Sequence, residues 1–126
     1  MAHNRYRLPG GEDTGFESER DLLKSHGHQV DTYEISNTAI ADSIGGRLAV
    51  AGSALVGGAG FRGLVRALEG AEYDVCHFYN TFPLITPNAY RACRATGTRV
   101  VQTVQNYRFI CPGALLYRDG QVCDEC

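Results

Sequence analysis

Hydrophobic and polar positions along this chain switch between two periods, and the switches mark its elements. Residues 12–25 set Phe16, Leu22 and Leu23 among charged neighbours, begin with Glu12 and Asp13, and stop before Gly27. That pattern predicts a helix. Its charges (Glu17, Glu19, Arg20, Asp21 and Lys24) read as a solvated face. Residues 28–35 alternate, with Val30, Tyr33 and Ile35 against polar neighbours, as a strand does. Leu64, Val65 and Leu68 have helical spacing and predict a helix over 61–69. Residues 73–78 form a short apolar run that stops at Tyr79-Asn80-Thr81-Phe82-Pro83. A buried parallel strand looks like this where its carboxyl end opens into a site. Residues 87–95 read as a short helix with Pro87 in its first turn and Gly97 past its end. The β-branched stretch 99–104 predicts a buried strand, and Asp119-Gly120 between two short extended runs predicts a hairpin. Strand and helix alternate. The economical fold is α/β, a Rossmann-like parallel sheet with helices on both faces, plus a C-terminal β-hairpin.

Two regions fit this scheme poorly. A sheet of this kind normally opens with a full apolar strand, yet only Ala2 precedes the polar His3-Asn4-Arg5-Tyr6. The first strand is therefore expected to be nearly missing. Between Gly45 and Gly63 the chain carries seven glycines, which leaves that stretch weakly specified.

Composition narrows the class. With 126 residues there is room for one domain, 1–126, with a modest core. Apolar residues at 44% and charged residues at 21% are ordinary for a globular chain. A net charge of −2 gives no electrostatic reason to expect nucleic acid as a partner. The longest apolar run, 48–56, is interrupted by Gly52 and Ser53 and is far shorter than the roughly 20 residues that span a bilayer. The N-terminus has no apolar signal core. Five cysteines, an odd count with two inside apolar segments, argue against a secreted disulfide framework and for a reducing cytoplasm.

Several groups could carry chemistry. Pro9-Gly10-Gly11-Glu12 before a helix reads either as an anion cradle of backbone N–H groups or as a β–α turn that merely needs glycine. Gly58-Ala59-Gly60-Phe61-Arg62-Gly63 matches the dinucleotide pattern, with Ala54-Leu55-Val56 ahead of it and a helix behind. The pattern also needs a carboxylate about twenty residues on, and that region offers Asn80. A pair of helices broken by glycine is the other reading. Cys111 with Cys123-x-x-Cys126 supplies three soft ligands where structural zinc wants four. Structural cysteines and a redox pair are the alternatives. His77 reads as a core histidine. Tyr79 and Asn80 end one strand, and Asn106 and Tyr107 end the next. Neutral donors and acceptors in an aromatic setting suit a polyhydroxylated ligand, and loop anchoring is the plain alternative.

These motifs occur in one order: His3-Asn4-Arg5-Tyr6, Pro9-Gly10-Gly11-Glu12-Asp13, Asp74-Val75-Cys76-His77-Phe78-Tyr79-Asn80-Thr81-Phe82-Pro83, and Gln102-Thr103-Val104-Gln105-Asn106-Tyr107-Arg108-Phe109-Ile110-Cys111-Pro112. Together they resemble the N-terminal half of the retaining family-4 glycosyltransferases, which have the two-domain GT-B fold. The hairpin with Cys123-x-x-Cys126 also looks like one branch of that family. The resemblance implies a nucleotide-sugar donor, a sugar or lipid-linked acceptor, and transfer with retention. It implies donor phosphate approaching Gly10 and Gly11, and acceptor against Tyr79, Asn80, Asn106 and Tyr107. No cofactor is required, although a structural zinc on the three cysteines is compatible with it. Most nucleotide contacts in such enzymes belong to a C-terminal domain, so this chain is expected to be an incomplete piece. It would be inactive alone, could pair with a separate C-terminal domain, and would be cytoplasmic or peripheral to the membrane. Two departures stand out. The family commonly ends the strand after Asp74 with His-x-His-Asn, where this chain has Tyr79, and Gln105 replaces another expected histidine. Neither can carry a proton charge near neutral pH as histidine does. A non-catalytic sugar-binding or interaction module is therefore the first alternative. An NAD-dependent Rossmann enzyme using Gly58, Gly60 and Gly63 is the second.

Overall fold

A computed structural model describes residues 1–39, 52 and 58–125. Four parallel strands form one sheet: β1 (Ala2–Arg5), β2 (Tyr33–Ser36), β3 (Val75–Phe78) and β4 (Arg99–Gln102), in the spatial order β2-β1-β3-β4. Helix α1 (Gly11–Ser25) links β1 to β2, α2 (Ala59–Glu69) precedes β3, and α3 (Asn88–Ala95) connects β3 to β4. A separate two-stranded hairpin, β5 (Tyr117–Arg118) and β6 (Gln121–Val122), turns through Asp119 and Gly120, both at positive φ. This is the expected α/β sheet with its hairpin, and the Asp-Gly turn falls where the sequence put it.

The period-2 alternation of the strands divides the interior. Ala2, Cys76 and Phe78 join Leu64 and Leu68 of α2, Ile85, and Ala89 and Cys93 of α3 in one apolar cluster. On the opposite face, Phe16 of α1 stacks on the His3 ring at 4.8 Å and meets Tyr79 edge-on at 5.6 Å. Helices therefore cover both faces. Glycine lets α2 lie close. A side chain at Gly63 would collide with the Tyr33 hydroxyl, which donates to the Gly60 carbonyl at 2.7 Å.

Four expectations need correcting. The first strand is present, though short, and it is made of the polar residues themselves. His3 and Asn4 are fully buried at the centre of the sheet. Their polarity is tolerable because each is paired. His3 Nε2 lies 2.9 Å from Asp13 Oδ1; the Asn4 amide donates to Asn37 Oδ1 at 2.7 Å and accepts from Leu84 N at 3.1 Å. The second strand begins only at Tyr33, because pairing with β1 starts there, at Ala2. The stretch 99–104 is not buried. Val100 and Val101 are 40% and 46% exposed, because β4 is the edge of the sheet and α1 sits over β1 and β3. Leu22 of α1 is also exposed, while its neighbour Glu19 turns inward.

The run 48–56, including Ala54-Leu55-Val56, lies outside the described residues apart from Gly52, and so does Cys126. Among the described residues no helix is long and apolar enough to cross a membrane.

Candidate functional site

The chain leaves β1 toward β2 on one side, and β3 lies on the other, so strand order reverses between β1 and β3. Loops that follow the strands diverge at such a point and leave a crevice. A cavity of about 190 Å³ opens beside it, at the carboxyl ends of β3 and β4. Glu12 of α1, residues 79–83 with Thr86 and Pro87, and residues 103–106 with Arg108 and Phe109 line it. Two strand ends and one helix start supply the wall.

Each of the expected residues has a definite place. Asn80 is buried and its amide is engaged at both ends, donating to the Asn4 carbonyl at 2.7 Å and accepting from Phe82 N at 3.0 Å. Its main job is to fasten the β3 loop to β1. Asn106 accepts from Arg108 N at 2.9 Å and donates to Glu12 Oε1 at 2.5 Å, tying the β4 loop to the start of α1. Tyr79 lies at the back of the cavity with its ring among His3, Phe16 and His77. Its hydroxyl donates to Glu19. Burial and the Glu19 carboxylate push its pKa up to about 12, so it stays neutral. Tyr107 is half exposed and does not line the cavity. Gln105, where the resemblance expects histidine, does line it, and its amide lies over Gly15 of α1.

Gly10 and Gly11 are exposed at the start of α1, with open space where a side chain would be. Gly10 is the N-cap, and its N–H donates to Asp13 Oδ2 at 2.8 Å. A carboxylate of the chain thus already occupies one of the amides that a phosphate would use.

Several participants escaped the sequence reading. Glu19 bonds Tyr79 and lies 3.4 Å from His77 Nδ1, while His77 Nε2 meets the Thr103 hydroxyl at 2.7 Å. Burial lowers the His77 pKa, and Glu19 opposes it. Glu19 sits three positions after the buried Phe16, a spacing that shares one helix face and could have revealed it. Arg108 lies over the Phe82 ring at 4.8 Å and bridges the two loops by a cation–π contact. Tyr6 faces Glu12 and Arg108; burial and Glu12 raise its pKa, and Arg108 opposes the rise. Thr86 Oγ1 and Arg108 Nε, both on lining residues, are the buried side-chain polar atoms without a hydrogen-bond partner among the described residues. Such atoms are costly to leave unpaired.

The other motifs resolve differently. Gly58 is the N-cap of α2, and Gly60 and Gly63 lie inside the helix. A Cβ at Gly60 would meet the Leu84 carbonyl oxygen at 2.6 Å, so protein fills the space that a pyrophosphate would need. Cys76 and Cys93 are free thiols facing each other in the core; this pairing and burial raise the Cys76 pKa. Cys111 is buried and Cys123 is half-buried. Among the described residues no group of three His, Cys, Asp or Glu side chains is placed to hold a metal ion; Cys126 was the third member of the expected set.

Comparison with models of known families, with curated proteins and with solved structures gave no match. The fold and the cavity define an α/β Rossmann-like domain with a crevice at its strand ends.

Proposed function

We propose that this chain is the acceptor-side domain of a retaining glycosyltransferase of the GT-B type. One observation carries the reading: a small cavity at the switch point of a parallel sheet, walled by aromatic rings and hydrogen-bonding groups, with Glu12 and Arg108 as its charged members. Thr86 and Arg108 are among the lining residues, and Thr86 Oγ1 and Arg108 Nε are buried without hydrogen-bond partners among the described residues. A sugar presents hydroxyls in several directions from a compact ring, so it pairs such groups while its apolar face packs on rings such as Phe82 or Phe109. Asn80, Asn106 and Tyr79 set the shape of the wall through their internal bonds. Gln105, which lines the cavity, is the free recognition element. Nucleotide contacts are left to a second domain, supplied in the same protein or by a separate chain, because Asp13 competes for the amide at Gly10 and Glu12 adds negative charge beside it. The chain alone binds acceptor without turning over donor. The three cysteines would hold a structural zinc outside this chemistry.

Amide NMR titration of the purified chain with a panel of free saccharides, and with a nucleoside diphosphate in parallel, tests this. Shifts confined to residues 79–87 and 103–109 with a saccharide, weakened in Gln105→Leu, are expected. Nucleotide hydrolysis or sugar transfer by the chain alone, or saturable NAD binding, would overturn the reading.

A non-catalytic sugar-binding module is the second reading, favoured by the absence of histidine from the cavity wall among the described residues. Joined to a donor domain, the glycosyltransferase reading predicts transfer and the module reading predicts none. Tyr79→His, run alongside, asks whether the missing imidazole is the reason.

A further inference from the structure

Four polar side chains behind the cavity form one connected network, and sugar binding gives it no work to do. Glu19 comes from α1, His77 from β3, Tyr79 from the position just after β3, and Thr103 from the position just after β4. His77 pairs with Val101 across the two strands, and Thr103 N donates to the Phe78 carbonyl at 2.9 Å. Two residues beyond Val101, Thr103 therefore falls on the His77 side of the sheet. Its Oγ1 lies 2.7 Å from His77 Nε2. On the other edge of the ring, His77 Nδ1 lies 3.4 Å from Glu19 Oε1, and the Tyr79 hydroxyl donates to Glu19 Oε2. Thr103 and Tyr79 line the cavity, whereas the His77 side chain is only 12% exposed. Hydroxyl, imidazole and carboxylate thus follow one another from the cavity wall inward.

The proton positions follow from the partners. A carboxylate only accepts, so Nδ1 carries the ring proton toward Glu19 and Nε2 presents its lone pair. The Thr103 hydroxyl then donates to Nε2. Burial lowers the His77 pKa against the opposing pull of Glu19, which keeps the ring neutral and able to take a proton near pH 7. This order of contacts recurs on unrelated folds as a device for acyl transfer, recognised by geometry and not by sequence position. A nucleophile, a base within hydrogen-bond reach of it and a group that orients the base are its three parts.

We propose that Thr103 is a nucleophile activated by His77, with Glu19 as the positioning residue, and that the chain hydrolyses esters of short acyl groups. A cavity of about 190 Å³ has room for a small acyl group beside Thr103. Thr103 Oγ1 forms a bond to the acyl carbon while its proton passes to His77 Nε2. Gln105, two residues on in the same wall, supplies an amide N–H to the carbonyl oxygen where negative charge develops. The bond between the acyl carbon and the alcohol oxygen breaks, and the alcohol leaves with the proton from Nε2. Water then attacks the acyl-threonine and gives a proton to Nε2. The bond to Oγ1 breaks, Thr103 recovers its proton from His77, and the carboxylic acid departs. Ester and water are the only reactants. Cleavage of an ester without saccharide binding would leave this activity standing and remove the sugar-transfer reading.

Hydrolysis of p-nitrophenyl acetate by the purified full chain, and labelling of the same chain with a fluorophosphonate, test the assignment. Saturable release of p-nitrophenol and stoichiometric label mapped to Thr103 are expected. Thr103→Val keeps the side-chain shape without the hydroxyl and should abolish both, while Thr103→Ser should retain both. His77→Ala should lower kcat by about 10²–10⁴-fold, the usual worth of a general base. Glu19→Gln should lower kcat at least about tenfold with KM unchanged, and Glu19→Asp should recover part of the loss, because Glu19 acts through His77 and not on the ester. His26→Ala removes an exposed imidazole at the end of α1 and should leave the rate unchanged. Because a variant in the sheet could simply unfold, labelling of the wild-type chain supplies a measurement that needs no mutation. No ester turnover by the folded wild-type chain, turnover or label that survives Thr103→Val, or label on Tyr79 or a cysteine in place of Thr103 would each overturn the proposal.

Discussion

Removing the carboxylate of Asp13 tests whether a polar central strand is held by its partners. Asp13 is 4% exposed, and its two oxygens serve His3 Nε2 at 2.9 Å and Gly10 N at 2.8 Å, with Arg5 Nη1 at 3.8 Å. Asp13→Ala deletes the acceptor of the Gly10 amide at the helix cap and leaves the fully buried His3 ring without its acceptor. Loss of a cap costs about 0.5–2 kcal/mol, and a buried group left unpaired about 1–3 kcal/mol. Together the change should be about 2–4 kcal/mol, a large part of the stability of a domain this size. Asp13→Asn keeps one acceptor and should cost about half as much. Urea unfolding followed by circular dichroism measures both, with the midpoint falling and the slope unchanged. The pH dependence supplies an independent check. Burial by itself would raise the Asp13 pKa, but the bonds from His3 and Gly10 and the Arg5 charge outweigh it and leave the pKa below its ordinary value. A carboxylate with a lowered folded pKa contributes its stability fully above the unfolded value of about 3.9 and loses it as pH falls through the folded value. The gap between wild type and Asp13→Asn should therefore be constant near neutrality and shrink below about pH 4. An Asp13→Ala protein within about 0.5 kcal/mol of wild type would refute the account, because His3 would then be finding water.

Three further outcomes follow from the same packing. Gly60→Ala places a methyl against the Leu84 carbonyl at 2.6 Å and Ile35 Cδ1 at 3.0 Å, and should cost about 1–3 kcal/mol in thermal unfolding. Glu19→Gln removes the charge that, with burial, holds Tyr79 near 12. Its ionisation should move down on alkaline absorbance titration, and the stability of the neutral phenol, present below the unfolded value near 10 and lost as pH rises through the folded one, should be lost earlier. Gly120→Val forces a β-branched residue to φ 83 in the hairpin turn and should speed hydrogen exchange of the Cys123 amide at least about tenfold. Exchange in β1 and β3 should be unaffected, because the hairpin is a separate sheet.

The elements with a strong periodic signal were legible without coordinates. Helix α1, with two acids at its start and glycine past its end, needed only local chemistry, as did the Asp-Gly hairpin. The alternation of strand and helix was enough for a parallel sheet, and the polar aromatic clusters after residues 78 and 102 marked which ends would open into a crevice. What the sequence could not convey was partnership. His3-Asn4-Arg5 looks like a poor strand because its polarity is answered by Asp13, Asn37, Asn80 and Leu84, residues 10 to 80 positions away. Val100 and Val101 look like core residues because nothing local tells an edge strand from a central one. Only sheet order decides that.

The site divides along the same line. Residue types at the strand ends were enough to suggest a neutral, aromatic-walled pocket. The tertiary structure assigned the roles, turning Asn80 and Asn106 into fasteners, moving Tyr107 away from the cavity wall, and drawing in Glu12, Thr86 and Arg108. Hydrogen bonds are short-ranged and directional, so which of two asparagines remains free for a ligand depends on loops that meet only once the sheet has formed. Residue chemistry along the chain thus set the kind of site, and three-dimensional pairing decided which atoms are left to use it.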